Sequence, residues 1–393
     1  MSWMNALIED VCMIKGGKRL PAGHDLVNDI TNHPYIRARD IGDGKINFTD
    51  PKYITEETYN KISRYIVRES DVIITIVGAN IGDIAYVSSE FDGANLTENA
   101  VKLTAKKGLV PLFLKYSLLP SDVKQHMQIV ASGAAQGKLG LYKIKKLSIP
   151  FPPLLIQQKI AGILSTYDDL IENNLKRIKL LEEMTQITYE EWFIRLRFPN
   201  YEFSTTNSTT GLPEGWVKIK LKEVLILNYG KALKADTRIE GTIPVYGSSG
   251  IIGTHNKALV EGCGIIVGRK GNVGSVFWSH GSFYPIDTVY FVTSIHTLPF
   301  IYCALKNSKF NNSDAAVPGL NRDAAYAIEI TLPSETIEKQ FSAMVEKNLL
   351  AIHLLEKQNQ RLCEARDILL PRLMAGIIDA ESYNPANLLK GAA

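Results

Sequence analysis

Cysteine is scarce in this chain and is never paired for chemistry. Cys12, Cys263, Cys303 and Cys363 form no CxxC pair, and none has a histidine at metal-ligand spacing. Zinc ribbons and thioredoxin-like redox centres are thereby excluded, and a reducing cytoplasm fits best. The seven histidines include no pair at helical metal spacing. Long apolar runs are missing too. None approaches 18 residues, and the first eleven residues carry Glu9 and Asp10 with neither a basic start nor an apolar core, so a soluble, unexported protein without a membrane partner is expected. Nor does one sign of charge dominate: 44 basic residues stand against 41 acidic ones, for +3 over 393 residues, so any basic surface must be local.

Catalytic loops are equally absent. Residues 133–139 (GAAQGKL) imitate a phosphate loop, but three residues rather than four separate the glycines and Leu139 replaces the required hydroxyl. Gly262-Cys263-Gly264 lacks the spacing of a dinucleotide loop, and no nucleophile elbow occurs. Asp168, Asp169, Glu172, Glu182 and Glu183 sit in helical sequence at spacings that suit a solvated or partner-facing surface.

What the chain does have is a long seam, repeated. Ile160, Leu164, Tyr167, Ile171, Asn174, Ile178, Leu181, Thr185, Thr188 and Trp192 are separated alternately by four and three residues, the signature of an extended helical stripe. Adding 181 gives Phe341, Val345, Asn348, Ile352, Leu355, Asn359, Leu362, Arg366, Leu369 and Leu373. If the two stripes run antiparallel with Asn174 opposite Asn359, apolar positions meet apolar ones: Ile160 faces Leu373, Leu164 faces Leu369, Ile171 faces Leu362, Ile178 faces Leu355 and Leu181 faces Ile352. Trp192 then lies beside Phe341, Thr185 beside Asn348 and Tyr167 beside Arg366. A buried Asn pair is suited to fixing register. Each segment of roughly 35 to 40 residues makes a rod of about 50 to 60 Å.

The remainder is duplicated as well. Trp3, Leu7, Glu9 and Val11 are echoed by Trp216, Leu221, Glu223 and Val224. Strand and turn IITIVGANIG (73–82) parallels IIVGRKGNVG (265–274), aligning Asn80 with Asn272. Ala134, Ala135 and Leu139 match Ala315, Ala316 and Leu320, and IPFP (149–152) matches ITLP (330–333). Each half therefore reads as one mixed globule followed by one long helix. The expected fold is α+β: two mixed α/β domains at 1–152 and 214–333, spacer helices at 153–195 and 334–376, a Ser/Thr-rich linker at 196–213 and a loosely held tail at 377–393. The helices are expected to form an antiparallel coiled coil with a pseudo-twofold internal repeat.

These features together, VGANIG and GRKGNVG, SGAAQGKLG and AAVPGLNR, and IPFPPLLIQQKIAGIL opening the first helix, resemble the specificity subunit of Type I restriction-modification enzymes over nearly the whole chain. The second helix opens with ITLPSETIEKQFSAMV, which lacks the double proline. The resemblance implies a non-catalytic reader of double-stranded DNA whose two target recognition domains each take one half of a bipartite site. It also implies two methyltransferase subunits gripping the helices and using S-adenosylmethionine on adenine, and restriction subunits requiring ATP and Mg. The alternatives are a single-chain DNA methyltransferase or nuclease whose active site is assembled from distant residues, and a protein-only scaffold; a complete adenine methyltransferase would need a cofactor loop and an Asn/Asp-Pro-Pro-aromatic tetrapeptide, and neither is found.

Donors on glycine-rich or extended segments are the candidates for base edges. In the first domain these are Arg37, Arg39, Asn80 and Lys138, with Lys15, Lys18 and Arg19 assigned to phosphates. The alternation in YIRARD is expected to put Arg37 and Arg39 on one strand face. In the second they are Ser248, Ser249, Arg269, Lys270, Asn272 and Arg322, with Lys231, Lys234 and Arg238 for phosphates. Asn80 and Asn272 are also suited to unusual turn geometry, and Tyr246 is suited to stacking or to the core.

Overall fold

The computed structural model describes residues 3–132, 137–310 and 319–380. The chain divides into two compact units, Met1–Glu172 with Gln360–Ala393, and Asn173–Asn359. Each contains part of both long helices, which run over Leu154–Tyr189, followed by a π-helical turn at Glu190–Ile194, and over Glu335–Met374.

In the first unit an antiparallel sheet has the strand order Cys12–Gly16, Ala100–Ala105, Val72–Thr75, Ile84–Tyr86. The run Val72–Ile74 is apolar because both faces of its strand are covered. Val72 and Ile74 pack with Phe113, Ile160, Leu164, Tyr167 and Leu373, while Ile73 packs with Ile36, Ile41 and Leu96 on the other side. Asn5–Leu7 pairs with Ser148–Pro150, tying the start of the chain to the residues that precede the first long helix. Gln157, fully buried on that helix, accepts from the backbone of Val110, the cap of helix Pro111–Leu118, and donates to the Gly108 and Pro152 carbonyls.

The second unit has the same strand connectivity, ordered Leu225–Tyr229, Val289–Ser294, Gly264–Gly268, Val276–Ser279. It adds a hairpin, Ile243–Gly247 with Gly250–His255. Ile265 and Val267 pack with Tyr189, Phe193, Phe300, Phe341 and Val345, and Ile266 packs with Tyr246 and Phe283 on the opposite face. Val217–Lys220 pairs with Glu329–Leu332. Here buried Glu338 takes the position of Gln157, accepting from the Thr297 N–H and hydroxyl, both at 2.7 Å, at the cap of helix Leu298–Asn307.

Polar residues of the long helices are bonded inside each unit. In the second, Asn174 Nδ2 donates to Asn359 Oδ1 at 2.9 Å and to Gln358 Oε1 at 3.1 Å. Asn348 donates to the Thr185 hydroxyl at 3.1 Å, and the rings of Trp192 and Phe341 are 5.6 Å apart. Of the seam positions, Ile160, Leu164, Asn174, Phe341, Val345, Ile352, Leu355, Asn359 and Leu373 are buried. Ile171, Ile178, Leu181, Trp192, Leu362 and Leu369 are half-buried.

Several expectations are corrected. Asp168 is not a solvated carboxylate: it accepts from Lys115 at 2.6 Å, Tyr116 at 2.7 Å and Arg366 at 2.8 Å. Burial would push it up, but Lys115 and Arg366 outweigh that and hold it below the ordinary carboxylate range. Arg366 is thus engaged by the neighbour of Tyr167. YIRARD is not a continuous strand, because only Tyr35–Ile36 is extended and a 3₁₀ turn follows at Ala38–Asp40. Within the linker 196–213, the Ser/Thr-rich residues 205–211 are exposed, while Phe198 and Leu212 on either side are buried and Thr206 pairs with Pro213. The expected tail begins by folding back, since Ala380 is buried in the first unit's core. Ala134, Ala135, Gln136, Ala315 and Ala316, and the tail from 381 onward, lie outside the described residues. Among the described residues no helix is long and apolar enough to cross a membrane, and no group of three or more His, Cys, Asp or Glu could hold a metal ion.

Candidate nucleic-acid interface

In the first unit the turn after Val72–Thr75 is closed by Gly82 N–H donating to the Thr75 carbonyl and Thr75 N–H to that of Asp83. The left-handed positions are Gly78 (φ 89°) and Gly82 (φ 86°), so the glycines absorb the turn and Asn80 is left exposed with an ordinary φ. Lys138, also exposed, pairs by its backbone with Val77. Turn and lysine border a cavity of ≈ 720 Å³ together with Arg19, Asn99 and Gln128. Arg19 reaches Glu98 at 2.8 Å, yet its side chain stays 81% exposed. Lys15 and Lys18 are exposed, the latter 5.5 Å from the Tyr65 ring.

The two arginines of YIRARD separate. Arg37 forms a double contact with buried Asp40, at 2.9 and 2.8 Å, and reaches Asp50 at 3.2 Å. Its donors are committed to the fold. Arg39 remains exposed, 3.8 Å from Asp50.

In the second unit the corresponding turn has its left-handed residues at Gly271 (φ 80°) and Gly274 (φ 75°), and Asn272 is exposed. Ser248 lies alongside, its carbonyl accepting from Ser275 Oγ at 2.8 Å, and Ser249 is exposed. Lys270 is exposed and pairs by its backbone with Gly319. Arg269 and Arg322 converge on the ring of Tyr229, with guanidinium carbons 5.0 and 5.3 Å from its centroid. Lys231 and Lys234 are exposed. Arg238 is turned inward: it donates to the Ile252 carbonyl at 2.7 Å, and its buried Nε has no partner. Tyr246 is core, 6% exposed and packed edge-on to Phe283.

Tyr229, 50% exposed, was not signalled by the periodicity of its strand, because it ends an edge strand just before Gly230. Its neighbour Tyr290, 5.1 Å away, is pushed up to about 12 by burial and by Tyr229, against the lowering effect of the two arginines.

Two α+β units each carry a glycine-turned strand end beside exposed cations and amides, which defines a two-domain α+β protein. The model of the Type I restriction modification DNA specificity domain matches residues 2–183 and again 213–364, and the chain belongs to that family. Its relatives include the Type I restriction enzyme MjaIX specificity subunit of Methanocaldococcus jannaschii, 28% identical over 204 residues, which are 51% of this chain and 44% of that one. A second is the putative type I specificity subunit S.MpnORF507P of Mycoplasma pneumoniae, 20% identical over 350 residues, 86% of this chain and 87% of that one. The chain spans only about half the length of the first of these relatives. The crystal structure of the S subunit of a type I restriction-modification system from M. genitalium shares the fold, with a TM-score of 0.63 at 18% identity over 95% of this chain and 96% of that one.

Proposed function

We propose that this chain is the sequence-specific DNA-recognition subunit of a Type I restriction-modification complex, each unit reading one half of a bipartite target. The observation that carries the reading is the double family match, one over each unit's globule, joined to exposed donors on equivalent strand-end turns. Lys15, Lys18, Arg19, Lys231 and Lys234 neutralise phosphates, which supplies affinity that falls with salt. Arg39, Asn80, Lys138, Ser249, Lys270 and Asn272 are the donors free to reach base edges. The chain itself transfers no methyl group and cuts no strand. Methyltransferase subunits supply S-adenosylmethionine chemistry on adenine, and restriction subunits supply the work that needs ATP and Mg, in the cytoplasm.

In this reading the two long helices lie antiparallel as a coiled coil and set the distance between half-sites. Supporting it are the bonds Asn174 to Asn359 and Asn348 to Thr185, both at positions related by one antiparallel register. An internal repeat is supported by Gln157 and Glu338, 181 residues apart, each holding the cap of a helix in its own globule. The test is incubation of the purified chain, alone and with its methyltransferase partner, with labelled S-adenosylmethionine and DNA. Label is expected only with the partner present and only on DNA carrying the target. Transfer by the chain alone would point to the enzyme reading, and partner-dependent transfer without sequence preference to a scaffold.

A further inference from the structure

Backbone hydrogen bonds allow the two units to be compared position by position. Gly17 N–H donates to the Ala100 carbonyl and Gly230 N–H to that of Val289, and at both glycines a Cβ would stand 2.0 Å from a carbonyl oxygen. Gly16 therefore occupies the place of Tyr229. Ile76 N–H donates to Asn99 and its carbonyl accepts from Leu139; Arg269 does the same with Thr288 and Leu320. Ile76 thus corresponds to Arg269, and Leu141 to Arg322, each the first residue of the short helix that follows. Val101, opposite Ile74, corresponds to Tyr290, opposite Val267.

The second unit has two arginines and two tyrosines where the first has four residues without a polar side chain. Arg269 is fixed in place by donating from Nη1 to the Asp287 carbonyl at 2.8 Å, and lies 5.9 Å from the Tyr290 ring as well as 5.0 Å from that of Tyr229. Arg322 is exposed. Among the described residues no carboxylate lies within ion-pair distance of either guanidinium. Two guanidiniums sharing one ring repel each other, and each is attracted to the ring face. Such a pair is preorganised for a ligand with clustered acceptors. Guanine, with O6 and N7 on its major-groove edge, is one source of these acceptors and phosphate the other. A backbone phosphate is met by both halves of any DNA reader, whereas a particular base is met by one. Confinement of the cluster to one unit favours the base.

We propose that Arg322 and Arg269 read a guanine in the half-site taken by the second unit, with Tyr229 as the positioning residue that holds both guanidiniums. This rests on the DNA-recognition reading above. The test is selection of bound duplexes from a randomised pool by the chain assembled with its methyltransferase partner. The wild type is expected to select guanine at a position of one half-site, and 7-deazaguanine there should weaken binding about 5- to 150-fold, the span of a bidentate base contact. Arg322→Ala, a change at an exposed side chain, should lose that preference and that sensitivity while leaving the other half-site untouched. Tyr229→Phe keeps the ring and should keep the preference; Tyr229→Ala should relax it. Uniform weakening on all sequences with a shallower salt dependence would assign the arginines to phosphate and overturn the proposal. So would guanine selection that survives both Arg322→Ala and Arg269→Ala. Selection of a bipartite site with no guanine in either half would overturn this inference and leave the wider reading standing. Binding with no sequence preference would overturn both.

Discussion

Arg37 and Arg269 both follow a strand end and are both half-buried, and their partners separate their roles. Arg37 commits its planar fork to Asp40 and reaches Asp50, so removing the side chain leaves a buried carboxylate without its cation, held by the backbone N–H of residue 37. Arg37→Ala should lower the stability of the first unit by about 1 to 3 kcal/mol in chemical denaturation, with sequence preference unchanged in the folded fraction. A changed base preference at unchanged stability would return Arg37 to the reading surface. Arg269 makes a single backbone bond and otherwise faces aromatic rings, leaving donors in hand. The residue types of both arginines were legible in the sequence, but their partners were not. Asp40 is only three residues from Arg37 but pairs with it through a 3₁₀ turn that a strand reading of YIRARD misses, and Tyr229 lies 40 residues from Arg269, a distance over which periodicity carries no information.

The long helices were the most legible elements, since a stripe sustained over ten positions and repeated at a constant offset of 181 suits a long helix and little else. Two pairs of their buried polar residues bond to each other, Asn174 with Asn359 and Asn348 with Thr185. The Asn174–Asn359 bond leaves Asn359 Nδ2 buried without a partner, so the pair favours one register at some cost in stability. Asn174→Leu alone should destabilise by about 1 to 3 kcal/mol because Asn359 loses its donor. Replacing both by Leu should restore or exceed wild-type stability, read from the denaturation midpoint, while loosening register. A double variant less stable than either single would contradict this. Asp168 escaped the sequence reading because its anchors, Lys115 and Tyr116, come from another element and an acidic helix position alone resembles a solvated one.

His280 stacks on His353 at 4.2 Å in the second unit, and burial, then its neighbours His353 and Lys357, lower it from 6.5 to about 4. An imidazole depressed in the folded state stabilises fully above its unfolded value and loses that contribution as pH falls from 6.5 toward 4. Lys306, Glu182 and Glu356 line the same ≈ 450 Å³ cavity as His280. Glu356, raised by burial and by Glu182, acts in the opposite sense. His353, lowered by burial and by Lys357, acts in the same sense as His280, so the difference between wild type and His280→Phe reads the His280 imidazole together with its coupling to His353. Stability of the wild type is expected to fall more steeply than that of His280→Phe across this window, and parallel curves would contradict it.

At the scale of the molecule, one fold is used twice with different side chains at equivalent places. The first unit presents Gly16, Ile76 and Leu141 where the second presents Tyr229, Arg269 and Arg322. If the chain reads DNA as proposed, with the long helices as its spacer, unlike heads should select unlike half-sites at a constant separation. The most direct measurement is base-resolution mapping of methylated adenine in DNA modified by the assembled complex. The account predicts two short, dissimilar half-sites separated by unspecified sequence of one fixed length, with marks on both strands. A single uninterrupted motif, or half-sites at varying separations, would contradict it.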